Sequence, residues 1–162
     1  MAWYPNSSTV GADFNNANST AQFGAGNTSI GSADTLWTYC ETVGTFSTGM
    51  VGAITTDGTA TPCVTSGGLS VANSNLGFIQ TSSTSGQFAW FCQKGNNVYI
   101  RVSGTTNASA VLYIATTSGV LHTTSASGTL AGVVMLANVS STATNLAVLA
   151  NLTWPKFLTS GQ

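Results

Sequence analysis

Charged side chains are almost absent from this chain. Three residues are Lys or Arg and four are Asp or Glu, so charged residues make up 4% of the 162 residues, whereas a typical soluble domain has about 25%. Three basic residues cannot form the phosphate-neutralising patch on which nucleic-acid affinity depends. They also cannot hold a protein on an anionic membrane surface. We therefore expect neither nucleic acid nor membrane as a partner.

The scarcity of charge leaves a surface made mainly of Ser, Thr, Asn and Gln. Such a surface is hydrated by hydrogen bonding, but it lacks the charge repulsion that keeps monomers apart. One interpretation is a neutral surface without functional meaning. The other, which we favour, is a protein that works inside an assembly, where the neutral surface is covered by neighbours.

Residues with catalytic chemistry are equally scarce. His122 is the single histidine, and the acids, Asp13, Asp34, Glu41 and Asp57, are too dispersed to predict a carboxylate pair or a Ca²⁺ loop. The chain has no Gly-x-Ser-x-Gly motif and no phosphate-binding loop. The sequence thus predicts a protein that is not an enzyme, with no catalytic residue, no cofactor and no metal site.

The cysteines Cys40, Cys63 and Cys92 are odd in number and contain no CxxC pair, which fits neither a disulfide framework nor a zinc site. A Cys40–Cys63 bridge remains an open alternative. The chain has no basic and apolar secretory signal at its start and no run of 18 apolar residues. We therefore expect synthesis in a reducing host cytoplasm.

The first 34 residues are rich in Asn, Ser, Gly and Ala, and their aromatic residues stand alone at Trp3, Tyr4, Phe14 and Phe23. Apolar residues this sparse predict an extended N-terminal arm over residues 1–34, followed by a folded domain over residues 35–162. The arm's aromatic residues could anchor it in grooves of a partner. Alternatively, the arm is a terminus without a role.

Beyond residue 35, short β-branched or aromatic runs are separated by Gly, Asn and Asp about every ten residues. This spacing predicts an all-β domain, an antiparallel β-barrel or sandwich of about 8–10 short strands. Asp57-Gly58 predicts a hairpin with a type I′ turn, and Lys94–Asn97 predicts a second hairpin. The only place for a helical turn is Asn145–Asn151. The predicted strands are Leu36–Val43, Met50–Thr55, Thr59–Thr65, Leu76–Gln80, Gln87–Gln93, Val98–Ser103, Ala110–Thr117, Val120–Thr124, Leu130–Val139 and Leu146–Trp154.

A weak internal repeat connects the two halves of this domain. Met50–Gly58 resembles Val111–Gly119, and each leads to an apolar run with a central glycine, at Leu76–Ile79 and Ala131–Val134. The repeat predicts one unit, a hairpin followed by a return strand, used twice. Chance similarity in so biased a composition is the competing interpretation.

Several stretches resemble the small β-rich decoration (cement) proteins of tailed-bacteriophage capsids. The resemblance rests on Gly49–Ala60, Phe88–Trp90, Val98–Val102, Leu112–Leu121 and Leu152–Pro155. It covers residues 36–157 as a pattern, without a diagnostic motif. It implies a virion protein on the outer capsid surface that bridges subunits of the major capsid protein, often as a homo-oligomer such as a trimer. Trp3, Tyr4, Phe14 and Phe23 are then candidate anchors to the capsid.

Two other functions remain open. The chain could be a tail-fibre or tail-associated virion domain. It could also be a carbohydrate-binding adhesion module, in which aromatic side chains stack on sugars. The tryptophans available for such a platform are Trp3, Trp37, Trp90 and Trp154.

Overall fold

The computed structural model describes residues 11–64, 75–115, 117–123, 129–140 and 146–158. These residues form ten β-strands and one short 3-10 turn, Ser32–Asp34, which confirms the all-β prediction. The strands are β1 Thr28–Ile30, β2 Leu36–Thr42, β3 Val51–Ile54, β4 Thr59–Pro62, β5 Asn75–Ile79, β6 Phe88–Val102, β7 Leu112–Ile114, β8 Leu121–His122, β9 Thr129–Met135 and β10 Leu146–Leu158.

The strands close into two rings that share β6. In the first ring the order is β2-β4-β3-β5-β6, and β6 pairs back to β2. In the second ring the order is β6-β10-β9-β7-β8, and β8 pairs back to β6. Each ring has a single parallel pair among its described pairings, β2 with β4 and β6 with β8. Among the strands that the structure describes, closure leaves neither ring with a free sheet edge, which is how small β proteins avoid edge-to-edge aggregation.

The two rings are copies of one topology, which confirms the internal repeat. The β3–β4 hairpin and β5 of the first ring correspond to the β7–β8 hairpin and β9 of the second. Isolated bridges recur at matching places, Phe46 with Ser83 and Thr106 with Val139. The repeat therefore comprises whole five-stranded rings, joined by one long strand.

The hairpin predicted at Lys94–Asn97 is wrong. Strand β6 continues through these residues for 15 positions, pairing with β2 before them and with β10 after them. Gly95 and Asn97 have positive φ values of 155° and 57°, and the register with β10 shifts opposite them. The turn-forming residues thus produce a bulge, which bends the strand from one ring into the next.

The Asp57-Gly58 hairpin is confirmed, but its turn type is not I′. A type I′ turn needs positive φ at both central residues, and of these two only Gly58 has it, at 80°. Thr55 N–H donates to Thr59 O (2.9 Å), and Gly58 N–H donates to Thr55 O (3.1 Å). This is the three-residue loop in which a type I turn ends on a left-handed glycine.

The sequence allowed a helical turn at Asn145–Asn151 but predicted a strand over Leu146–Trp154, and Leu146–Asn151 does open strand β10. Val148 and Ala150 point into the core while Leu149 is exposed. That period of two belongs to a strand packed on one face. Burial against two neighbouring strands thus outweighs the helix propensity of the alanines.

The hydrophobic core consists of two clusters. One fills the first ring and includes Cys40, Phe46 and Phe91. The other fills the second ring and extends over the outside of the first, where it includes Cys63 and Trp90. All three cysteines are free and fully buried. No Cys40–Cys63 bridge forms, because the two side chains lie in different clusters.

Residues 11–34 differ from the extended arm that composition suggested. Phe14 is 4% exposed and belongs to the larger cluster. Asn18 exchanges backbone hydrogen bonds with Phe88 (2.9 and 2.8 Å), and Thr28–Ile30 pairs with β2. This part of the chain therefore packs along the outside of the first ring. Residues 1–10 lie outside the described residues.

Candidate binding site

An apolar face lies on the outside of the second ring, across strands β6, β10 and β9. Tyr99 stands directly opposite Leu149, and Leu136 N–H donates to Leu149 O (3.0 Å). The exposed fractions are 45% for Tyr99, 36% for Leu149, 43% for Leu136 and 46% for Val134. We call these four residues the second-ring face. Single exposed apolar residues need no explanation, but a contiguous group is a candidate binding surface.

The corresponding face of the first ring is covered. Tyr39 there stands opposite Trp90 as Tyr99 stands opposite Leu149, yet Tyr39 and Trp90 are 0% and 1% exposed. The tyrosines are equivalent, because Tyr39 precedes Gly44-Thr45 as Tyr99 precedes Gly104-Thr105. The internal repeat thus provides its own comparison of a covered face with an open one.

The cover of the first-ring face is the segment 11–27. Phe14 stacks on Trp37, with ring centroids 4.6 Å apart, and its edge meets Trp90 at 5.2 Å. Phe23 contacts Tyr39 and Trp90 at 5.3 and 5.5 Å. Gln22 N–H donates to the Tyr39 hydroxyl oxygen (3.1 Å). Aromatic side chains of this irregular segment therefore bury the face, in the stacked and edge-on arrangements that paired aromatic rings favour.

A groove of about 380 Å³ connects the segment 11–27 to the second-ring face. Apolar side chains from both sides line it, and amide and hydroxyl groups lie between them. Its described lining, none of which is charged, is Phe14, Asn15, Ser32, Thr35, Trp37, Gln80, Asn96, Asn97, Val98, Tyr99 and Leu149.

Side-chain amides hold the backbone of this site in place. Gln80 accepts from Tyr99 N–H (2.9 Å) and donates to Tyr99 O (3.0 Å). Asn151 accepts from Asn97 N–H at 3.2 Å. The site is thus built on paired strands, and preorganised positions lose little entropy when a partner binds.

Of the predicted anchors, two lie among the described residues. Phe14 is buried in its own molecule, and Phe23 is half-buried against Tyr39 and Trp90. Their rings are engaged by the first ring and do not point outward as a free arm would require. Trp3 and Tyr4 lie outside the described residues, and their anchoring role stays a prediction.

The residues with catalytic potential have local structural contacts. Asp57 accepts hydrogen bonds from the Thr55 and Thr59 side chains and from the Thr59 backbone, which lower the pKa of its carboxyl. His122 lies in β8 opposite Tyr113. Burial raises the pKa of the Cys40, Cys63 and Cys92 thiols to about 12, so these thiols remain protonated and poorly nucleophilic.

Within the described ranges, no group of three or more His, Cys, Asp or Glu residues is arranged to hold a metal ion. Among those same residues, no helix is long and apolar enough to span a membrane.

Comparison with known proteins gives no relative. No family model matches the chain, and neither a curated protein nor a solved structure matches it.

Sequence reasoning did not identify Leu136, Leu149 or Val134 as site residues. The available signal was the repeat itself. Aligning Tyr39–Thr45 with Tyr99–Thr105 would have shown two tyrosines in equivalent strands.

Proposed function

We propose that this chain is a structural virion protein that binds the outside of a phage capsid and stabilises it by bridging coat subunits. The observation that supports this most is the second-ring face, which exposes Tyr99 and Leu149 where the first ring buries their equivalents, Tyr39 and Trp90. A protein with so few charges gains binding energy from apolar burial and neutral hydrogen bonds, which suits the charge-depleted centre of a protein–protein interface.

The resemblance to capsid decoration proteins adds a second line of support. It rests on segments that lie in both rings, among them Gly49–Ala60 in the first ring and Val98–Val102 in the second. We propose the major capsid protein as the partner, with further copies of this chain as neighbours on the shell. Binding confined to the assembled shell stabilises it by mass action.

The first test asks which part of the virion contains the protein. Virions are purified, shells are separated from tails, and both fractions are probed with an antibody against the chain. A signal in the shell fraction, in a fixed ratio to coat protein, is the expected result. A signal confined to tails would replace the proposal with the tail-associated function. Absence from both fractions would reject a virion role.

The groove supports a second candidate function, saccharide binding. Its lining combines aromatic rings with the amides of Gln80, Asn96 and Asn97, the chemistry with which proteins recognise sugars. Against it, Trp37 and Trp90 are buried at 7% and 1% exposure, and only Trp154, at 50%, is an open platform among the described tryptophans.

Titration of a saccharide panel against tryptophan fluorescence separates the two candidates. Capsid binding predicts no change, whereas a saccharide site predicts saturable quenching. Tyr99→Ala should abolish such quenching if the groove is responsible. Trp154→Ala is the control that leaves the groove intact.

A further inference from the structure

The two rings correspond in their backbone hydrogen bonds as well as in their strand order. In the first ring, Tyr39 N–H donates to Asn27 O (2.8 Å), and Tyr39 O accepts from Gly26 N–H (2.7 Å). In the second ring, the side-chain amide of Gln80 makes the same two bonds with Tyr99, at 2.9 and 3.0 Å. One backbone contact of the segment that covers the first ring therefore has an internal counterpart in the second.

Another backbone contact of the covering segment has no such counterpart. Asn18 exchanges two hydrogen bonds with Phe88 on the edge of β6 that faces away from β2 (2.9 and 2.8 Å). Ala147 is the equivalent of Phe88, since each lies two residues before the residue that stands opposite the tyrosine. The pairing of β10 with β9 begins only at Ala150. Among the strands that the structure describes, none therefore pairs with this edge at Ala147.

The backbone of Ala147 is oriented toward this edge. Ala147 stands opposite Arg101 in β6, and the Arg101 N–H points away from it, to Gly49 O (2.6 Å). In an antiparallel ladder, a pair with this orientation exchanges no hydrogen bonds, so the N–H and C=O of Ala147 point away from β6. They have the same direction as the Phe88 groups that bind Asn18, and a further extended chain can pair with them.

The side chains beside this edge are also the counterparts of a covered surface. Tyr99 and Leu149 form the neighbouring cross-strand row and are 45% and 36% exposed. Their equivalents in the first ring are buried by the rings of Phe14 and Phe23. These two residues lie four positions before and five positions after Asn18. A chain that binds the open edge in the same way therefore carries an aromatic residue within a few positions of its pairing residue.

This open surface is continuous with the contact that covers the first ring. Phe14 and Asn15 line one side of the groove of about 380 Å³, and Tyr99 and Leu149 line the other. The described lining of the groove is uncharged, and the charged residue that stands opposite the edge residue is Arg101. A neutral or acidic segment therefore complements this surface better than a basic one.

The segment 11–27 shows which features such a chain needs. Its single charged residue is Asp13, which accepts hydrogen bonds from Asn15 N–H (2.9 Å) and from the Asn16 side-chain amide (2.6 Å). The carboxylate is thus used in a local turn. The contacts with the first ring come from aromatic rings and from backbone groups, so these two features define what fits the second.

We propose that the open edge of β10 at Ala147, together with Tyr99 and Leu149, receives an extended segment of a partner protein. The segment exchanges two backbone hydrogen bonds with Ala147 and places an aromatic ring over Tyr99 and Leu149. Asn18 and Phe23 are the models for these two contacts in the first ring. Such strand addition takes its affinity from backbone bonds and its specificity from side-chain contacts. That the segment belongs to the coat subunit rests on the proposed function.

A peptide with the sequence of residues 12–27 tests the docking without a virion. The protein's own copy of this sequence occupies the first ring, so the peptide should bind the open equivalent in the second. Fluorescence anisotropy of the labelled peptide should show saturable binding to the full chain. Leu149→Asn in the protein, or alanine at both Phe14 and Phe23 of the peptide, should weaken binding about tenfold. Val111→Asn, at an exposed position outside the face, is the matched control and should leave binding unchanged.

Two results of the peptide titration would overturn the proposal. One is the absence of saturable binding. The other is binding that Leu149→Asn leaves unchanged, because the peptide would then have exchanged with the segment already on the first ring.

Ala147→Pro tests the backbone contact separately from the aromatic one. Proline removes the outward N–H, and strands tolerate proline where this group faces away from the ladder, so the protein should still fold. Ala147→Thr is the control, because threonine keeps the N–H and suits a strand. Urea unfolding checks both variants. The proline variant should bind the peptide about fivefold more weakly than the threonine variant, and equal binding would contradict the backbone contact.

Amide hydrogen exchange at Ala147 measures the same contact in the unaltered chain. Binding of the peptide should slow exchange of this amide, because its N–H becomes a hydrogen-bond donor to the peptide backbone. Unchanged exchange at saturating peptide would contradict the contact, whether or not the proline variant folds.

Purified shells separate this proposal from the proposed function. The photo-crosslinking residue p-benzoylphenylalanine at position 136, on the same face, should attach to a coat segment that contains an aromatic residue. A cross-link to a second copy of this chain would overturn the assignment of the segment to the coat subunit. If the peptide binds but the chain does not bind shells, the proposed function fails and the docking stands. If shells bind the proline and threonine variants equally, the docking fails and the proposed function stands.

Discussion

At the residue scale, the three thiols and the Asp57 carboxylate, which could have reactive chemistry, instead have structural roles. The three thiols are fully buried, and the Asp57 carboxylate closes the β3–β4 turn through Thr55 and Thr59. Sequence reasoning could not decide on a Cys40–Cys63 bridge, because proximity of two cysteines depends on the pairing of distant strands.

The buried thiols make stability fall at alkaline pH. Their pKa is raised from the ordinary 9.0 to about 12 in the folded protein, so the unfolded chain loses these protons first. The contribution is fully present below pH 9 and is lost between pH 9 and about 12, by about 1.4 kcal/mol per pH unit for each thiol. Unfolding in urea at pH 8 and pH 10 measures it. Cys40→Ala should lower the pH dependence, and an unchanged slope would contradict the assignment.

At the element scale, the segment 11–27 is the part that sequence reasoning placed least well. Its composition predicts an arm, since scattered aromatic residues give no period. The structure packs those residues on Trp37, Tyr39 and Trp90, which come from β2 and β6. No local sequence pattern predicts this packing, because the face on which these aromatic residues pack forms only after the first ring has closed. Beyond residue 35 the strands follow their local alternation and were predicted within a few residues, except that the long β6 was divided in two, and β1 within the predicted arm was not predicted.

Phe14→Ala measures how firmly the segment 11–27 packs. Phe14 is 4% exposed and contacts two tryptophan rings, so removing its ring should destabilise the protein by about 3–5 kcal/mol. Asn16→Ala, an exposed position in the same segment, should change stability by less than about 0.5 kcal/mol. Equal small effects in urea unfolding would show that the segment is not part of the core.

Gly58→Ala tests the contact between the segment and the β3–β4 turn. A Cβ at Gly58 would collide with backbone atoms of Ala25 and Gly26, whereas at Gly86 it would meet nothing within 4 Å. Both glycines have positive φ, 80° and 82°, so both substitutions carry a conformational cost of about 1–2 kcal/mol. Gly58→Ala should cost more than Gly86→Ala in free energy of unfolding. Equal costs would mean that residues 25 and 26 do not rest on the turn.

At the scale of the whole molecule, the repeat explains both the architecture and the open face. Short stretches at Met50–Gly58 and Val111–Gly119 predicted a hairpin unit used twice. The full extent of the repeat was hidden because equivalent positions diverge, as Trp90 and Leu149 do, wherever one ring is covered and the other is not. The shared strand β6 was predicted as two strands joined by a hairpin, because a bulge and a hairpin use the same turn-forming residues.

Sharing β6 should make the two rings unfold together. The strand spans 15 residues and pairs in both rings, so loss of one ring exposes the core of the other. Phe46→Ala in the first ring and Leu121→Ala in the second, at positions 1% and 0% exposed, should each shift a single urea transition. Coincident curves by tryptophan fluorescence and circular dichroism are the expected result. Two separate transitions would show independent rings.

The proposal that the second-ring face binds the capsid is tested most directly by shell occupancy of a face variant. Leu136→Asn/Leu149→Asn changes two exposed side chains, so folding should be unaffected, and Val111→Asn is the matched control at an exposed apolar position outside the face. If each side chain contributes about 1 kcal/mol, the double variant should bind purified shells roughly thirtyfold more weakly than the control. Equal occupancy by the double variant, the control and the unaltered chain would contradict the account.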